Sequence, residues 1–239
     1  MAVKIKGVDA GGRICPPLDR TYNSIEVLVF LFLIVPSMVL SFFVVKVGSV
    51  SFRFVAVSTM LRDLSLVSLV FFFIWRNGEP LGRLGLTLLT GWRDLFWGVI
   101  LFLPINFVAD LLGSYLKSAG LTAPAHAPAF LAVKGPGEIA LAIILVVIVA
   151  LTEETIFRGY LLLRFQGLNL GPLGAALLSS VIFSLGHGYE GTAGLVTVGA
   201  LGFVLALIYL WRGSLVAPIV IHFLQDFSGI VLPALAGIK

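Results

Sequence analysis

Two adjacent carboxylates, Glu153 and Glu154, and then Arg158 follow a run over 139–150 that has no polar residue. Further on, Phe183 precedes His187 by four residues, with Gly186 and Gly188 on either side of the imidazole, and His222 precedes Asp226 by four in another apolar run. Carboxylates and imidazoles are the groups that move protons, activate water and ligate metals. An isolated charge at the centre of a bilayer costs at least about 2.5–3.5 kcal/mol, so residues of this kind face a bundle interior and act there.

Helical geometry gives the charges different tasks. Glu154 and Arg158 stand four apart, about 40° around a helix axis, and can pair on one face. The pair neutralises itself and fixes the helix rotation, which lowers the cost of its burial. Glu153 points about 100° away and has no partner at that spacing. A carboxylate held in a low-dielectric cavity can serve as a general base, and Glu153 is the candidate. The glycines beside His187 permit close approach of a helix or a substrate backbone, though a lone histidine there also reads as a structural, hydrogen-bonded one. His222 and Asp226 share a helical face, where the carboxylate can orient the imidazole, both can ligate a metal, or the pair can clasp two helices together.

These residues must be positioned by membrane-spanning helices. Of 239 residues, 59% are hydrophobic and 12% charged, against roughly 45–50% and about 25% in soluble domains. Apolar blocks near 24–45, 54–75, 95–116, 139–163, 172–187, 194–211 and 215–235 predict an all-α, polytopic transmembrane bundle of about seven spans, within limits of six to eight. The second block contains Arg62 and Asp63, which read as a neutralising interfacial pair marking an interfacial helix that runs into a shorter span. Asn106 and Asp110 in the third read as cavity-lining or as helix-helix hydrogen-bonding groups. The organisation expected is a polar tail over 1–23 and a single membrane domain over 24–239, with the chemistry concentrated in 138–230. The 117–137 linker, with three prolines and His126, cannot be helical throughout.

The net charge of +4 comes from Lys and Arg spread beside the apolar blocks, which suits anionic headgroups and not nucleic acid. One cysteine, Cys15, excludes an internal disulfide. With the N-terminus inside, Lys4, Lys6, Arg13, Arg20, Arg76, Arg83, Arg93, Arg164 and Arg212 fall on the cytoplasmic side. Lys46, Arg53, Lys117, Lys134 and Lys239 fall on the other. That imbalance predicts a cytoplasmic N-terminus and a C-terminus outside. The setting expected is the cytoplasmic membrane of a prokaryote.

The three blocks match, in order, Glu-Glu-x-x-x-Arg (Glu153, Glu154, Arg158), Phe-x-x-x-His (Phe183, His187) and His-x-x-x-Asn or Asp (His222, Asp226). In this the chain resembles the CPBP intramembrane proteases, also called the CAAX protease and bacteriocin-processing or Abi family. The resemblance covers roughly 138–230 and includes the turn at Trp211 to Leu215. It implies that Glu153 activates water with help from His187, that His222 and Asp226 stabilise the oxyanion, and that Glu154, Arg158 and Phe183 support them. An older reading of the family makes Glu153, His187, His222 and Asp226 zinc ligands; no cofactor is favoured here, and zinc stands second. Asp226 departs from the Asn of other members, since an ionised aspartate has no proton to give an oxyanion.

The function this implies is an intramembrane endopeptidase acting on a membrane-associated peptide or protein. Two other classes stay open: a proton- or ion-coupled transporter, for which no internal repeat is visible, and a non-catalytic scaffold or immunity protein that keeps the motifs as polar clasps. No His-Glu-x-x-His signature occurs, and Ser184 is not in a Gly-x-Ser-x-Gly elbow.

Overall fold

The computed structural model describes residues 19–43, 50–86, 91–125 and 128–237. Lys4, Lys6, Arg13, Cys15, Lys46, His126, Lys239 and most of the expected N-terminal tail lie outside them. The described residues form seven principal helices: α1 (Arg20–Ser41), α2 (Phe52–Arg76), α3 (Gly91–Ser118), α4 (Gly135–Gly167), α5 (Pro172–Leu185), α6 (Gly191–Arg212) and α7 (Val216–Leu235). Six are long and apolar enough to cross a bilayer, α6 with the Gly188–Glu190 turn before it, and α5 is shorter. The protein is thus an integral, multi-pass helical bundle. Residues on its outer faces, such as Phe32 at 77% and Leu103 at 70% exposure, are apolar because their solvent is lipid.

The helices begin and stop for local reasons. Pro136 and Pro172 sit in the first turns of α4 and α5, where a missing N–H has no cost. Ser51 caps α2 by accepting from the Phe54 amide. Gly213, at φ +65°, takes the left-handed conformation that ends α6 and turns the chain into α7. α2 runs unbroken through Arg62 and Asp63, so the interfacial break expected there does not occur. The bilayer tolerates the two charges because they are paired and face inward.

Contacts between helix ends sort the loops into two levels. At one end, Ser41 donates to the Leu185 carbonyl and accepts from the Gly188 amide, Arg53 pairs with Glu138, and Thr122 meets Thr192. At the other, Asn23 donates to the Arg164 carbonyl, the Leu215 amide donates to Gly85, and Arg212 pairs with Asp94. The core between them joins Phe30 and Ile34 of α1 and Phe73 of α2 to Tyr160 of α4, Ala176 of α5 and Tyr209 of α6. α3 lies close on α7, where a Cβ on Gly98 would stand 2.6 Å from that of Val220.

An ionic network seals the second end. Glu26 accepts from Arg76 at 2.7 Å and from Asn77 at 2.7 Å, and it lies 2.9 Å from the Arg164 Nε. Arg164 also reaches Glu79 at 2.5 Å, and Arg83 pairs with Glu79. Breaking such a pair leaves a buried charge without compensation, which costs about 3–5 kcal/mol. Arg164→Leu should therefore lower the unfolding temperature in detergent markedly, while Arg53→Gln, from an exposed pair at the other end, should leave it unchanged; equal shifts would count against the network as a structural clasp.

Candidate active site

α4 is α-helical to Glu154 and π-helical over Thr155–Leu161, returning to α-geometry at Leu162. α7 does the same directly after Asp226, with a π segment at Phe227–Val231. π turns widen a helix locally and recur at functional sites. The Glu154–Arg158 pair survives this departure from ordinary spacing, at 2.9 Å.

That pair has a third member that its sequence spacing does not reveal. The His222 Nδ1–H donates to the same Glu154 Oε1 at 2.8 Å. Glu154 and Arg158, at 0% and 1% exposure, therefore hold the imidazole of α7 from behind. Arg158 also stacks on the Phe183 ring, 4.4 Å from its centroid, and donates to the Gly202 carbonyl at 3.3 Å. A Cβ on Gly202 would stand 3.1 Å from Phe183 and 3.2 Å from Arg158, so any side chain there would press on both by a few tenths of an ångström. The Phe183 ring meets Phe157, His187 and His222, with centroids 5.0, 4.9 and 6.0 Å away.

With Nδ1 anchored, the His222 Nε2 faces the remaining carboxylates, 3.5 Å from Asp226 Oδ2 and 3.9 Å from Glu153 Oε2. These groups line a cavity of about 170 Å³ together with His187, Arg62 and Asp63. His187 sits just past the end of α5. Its fourteen residues extend only about 21 Å, short of the roughly 30 Å of a typical hydrocarbon core. The His187 Nδ1–H points to the Phe183 carbonyl at 3.3 Å, leaving Nε2 free to accept from the cavity. No hydrogen bond joins His187 to Glu153 among the described residues.

Arg62 and Asp63 correct the interfacial assignment. They do pair, at 2.8 Å, but Arg62 also approaches Glu153 Oε1 to 3.7 Å and both line the cavity. Their presence inside an apolar block was the available signal; their connection to Glu153 required the fold. Tyr189, two residues past His187, lines the same cavity and carried no such signal. Asn106 takes the hydrogen-bonding role, accepting from Gln225 of α7 at 3.5 Å, and Asp110 is not on the cavity. Glu153 Oε2 and Asp63 Oδ2 are buried without a hydrogen-bond partner among the described residues.

The stretch that holds Glu153, Glu154, Arg158, Phe183, His187, His222 and Asp226 falls within residues 135–228, which match the family model of type II CAAX prenyl endopeptidases, Rce1-like. That stretch, which is less than half of the chain, is therefore similar to an intramembrane peptidase family. No curated protein and no solved structure gives a significant match. No group of three or more His, Cys, Asp or Glu side chains that could hold a metal ion occurs among the described residues. The Nδ1 atoms of His187 and His222 are turned to a carbonyl and to Glu154, which leaves their Nε2 atoms to the cavity.

Partners that orient a reacting imidazole typically affect activity by about 10–100-fold. Glu154→Gln should lower kcat by that order with KM unchanged in steady-state cleavage, because it loosens His222 without touching substrate; a change in KM alone would place Glu154 in binding.

Proposed function

We propose that this protein is an intramembrane endopeptidase that hydrolyses a peptide bond in a membrane-associated peptide or protein with water activated by Glu153. The observation that carries the reading is the convergence of Glu153, His187, His222 and Asp226, from three separate stretches of chain, on one cavity. Glu153 Oε2 is buried there without a hydrogen-bond partner among the described residues, so it is free to take a proton from water. The reading takes 24–239 as one membrane domain with its chemistry in 138–230, in the cytoplasmic membrane of a prokaryote with the N-terminus in the cytoplasm.

In this mechanism Glu153 removes a proton from water as the oxygen adds to the scissile carbonyl, and the Nε2 of His187 accepts a hydrogen bond from the same water. The developing oxyanion takes a hydrogen bond from the Nε2–H of His222, whose other nitrogen is held on Glu154. As the C–N bond breaks, the proton on Glu153 passes to the departing amine. Asp226, at 3.5 Å, holds the His222 Nε2–H in place, which removes the need for the aspartate itself to donate. Arg62 supplies a cation beside the base, offsetting the accumulation of carboxylates. The mechanism uses no cofactor.

The decisive measurement is cleavage of membrane-anchored peptides by purified wild type and Glu153→Gln in detergent. Loss of a general base should reduce kcat by about 10²–10⁴-fold. Equal product from both proteins would overturn the role of Glu153. The same assay under stringent chelation should show undiminished activity; loss restored by zinc would transfer the mechanism to a metal. Asp226→Asn should remain active, since an amide can also hold the ring or donate to the oxyanion. A variant as inactive as Glu153→Gln would mean that the carboxylate of Asp226 is indispensable.

A further inference from the structure

α3 and α6 leave a groove between them on the outside of the bundle, about 330 Å³ in volume. Leu101, Ile105, Val108 and Leu112 of α3 wall it on one side, and Leu201 and Val204 of α6 on the other. These residues recur at helical spacing, so each wall is a continuous stripe, and that of α3 extends about 16 Å. No ionisable side chain lines this part among the described residues. At Ala109 and Thr197, which line both, the groove passes into a second hollow of about 510 Å³ and opposite character. Its walls carry Asp110, Ser114 and Lys117 of α3 and Glu190 from the turn before α6. Two glycines shape it. A Cβ on Gly113 would meet the Thr197 Oγ1 at 3.5 Å, where the helices approach, and one on Gly194 would fall 2.3 Å from the Glu190 Cβ, so Gly194 leaves the room that this side chain takes.

The charges of the second hollow are left for a group from outside the chain. Asp110, Ser114 and Lys117 share one face of α3, with the carboxylate and the ammonium two turns, about 10 Å, apart. Both charged residues are exposed, and no ion pair joins either to a described residue. Asp110 also lies eight residues back from the end of a spanning helix. A charge in such a segment ordinarily faces the bundle interior and is paired there. Asp110 is instead turned outward, at the head of an apolar groove, where its neighbours from outside the protein are lipids.

We infer that the two hollows together bind one glycerophospholipid with a zwitterionic, primary-amine headgroup: its phosphate on Lys117, its ammonium on Asp110 and Glu190, and an acyl chain along the stripes of α3 and α6. Charge selects this class. Two carboxylates against one ammonium disfavour a headgroup of net negative charge, which would suit Lys117 and be repelled by the other two. A primary ammonium carries N–H groups enough to donate to both carboxylates, whereas a quaternary ammonium has none. Asp110 and Lys117 lie outside the stretch that is similar to the peptidase family, and the site does not depend on the cleavage reading.

The test is native mass spectrometry of the full chain, delipidated in detergent and titrated with phosphatidylethanolamine, phosphatidylcholine or phosphatidylglycerol of identical acyl chains. One phosphatidylethanolamine should bind ahead of the other two lipids. Asp110→Asn and Lys117→Gln should each weaken that binding about tenfold, as the loss of a hydrogen bond to a charged group does, while Arg53→Gln, an exposed charge elsewhere, should leave it unchanged. Because both side chains are exposed, the two variants should unfold at the wild-type temperature without lipid, and only the wild type should gain stability when phosphatidylethanolamine is added. Equal binding of the three lipids, or full affinity in Asp110→Asn, overturns the inference. A dimer mass in place of the lipid adduct also overturns it and gives the groove to a second copy of this chain.

Discussion

A carboxylate enclosed in hydrocarbon must be met by donors on all the sides that water would have occupied, and Glu154 shows how far that requirement reaches. Its Oε1 accepts from Arg158 on its own helix and from His222 on α7. Arg158 extends the constraint by stacking on Phe183 of α5 and donating to Gly202 of α6. One buried charge therefore keys four helices to each other in rotation and depth. Bilayer lipid supplies no hydrophobic drive between helices, so polar contacts and close packing of this sort fix their arrangement.

The neighbouring Glu153 has the same chemistry and the opposite fate. A rotation of about 100° per residue turns it away from the Arg158–His222 contact and onto the cavity. There its nearest cation, Arg62, stays at 3.7 Å and one of its oxygens has no partner among the described residues. Glu154 Oε1 is fixed by two donors at 2.8 and 2.9 Å, whereas no donor among the described residues comes that close to Glu153. The adjacent pair thus divides positioning from reaction, and the π segment that begins at Thr155 lies just beyond this division.

The same economy of charge operates at the scale of the bundle. The buried polar groups gather into two clusters: the sealed network of Glu26, Glu79 and Arg164, and the cavity of Glu153, His222, Asp226 and Arg62. The first is closed by mutual pairing and the second is left with unpaired oxygens. The short α5 belongs to this asymmetry, since it starts beside the first cluster's level and ends early enough to leave His187 on the cavity.

Much of this was legible in the chain. Crossing a bilayer is a demand on each segment separately, so the apolar blocks declared the seven helices, and residues four apart share a helical face, so Glu154 with Arg158 and His222 with Asp226 could be paired from spacing. The residue types of the cavity were equally visible, because ionisable groups in apolar runs are few. Tertiary structure decided the rest. That Glu154 rather than Asp226 holds His222 by its Nδ1, and that Arg62 reaches Glu153, are relations between helices far apart in sequence. They depend on which helices are neighbours and how each is rotated, and composition and periodicity carry no information about either.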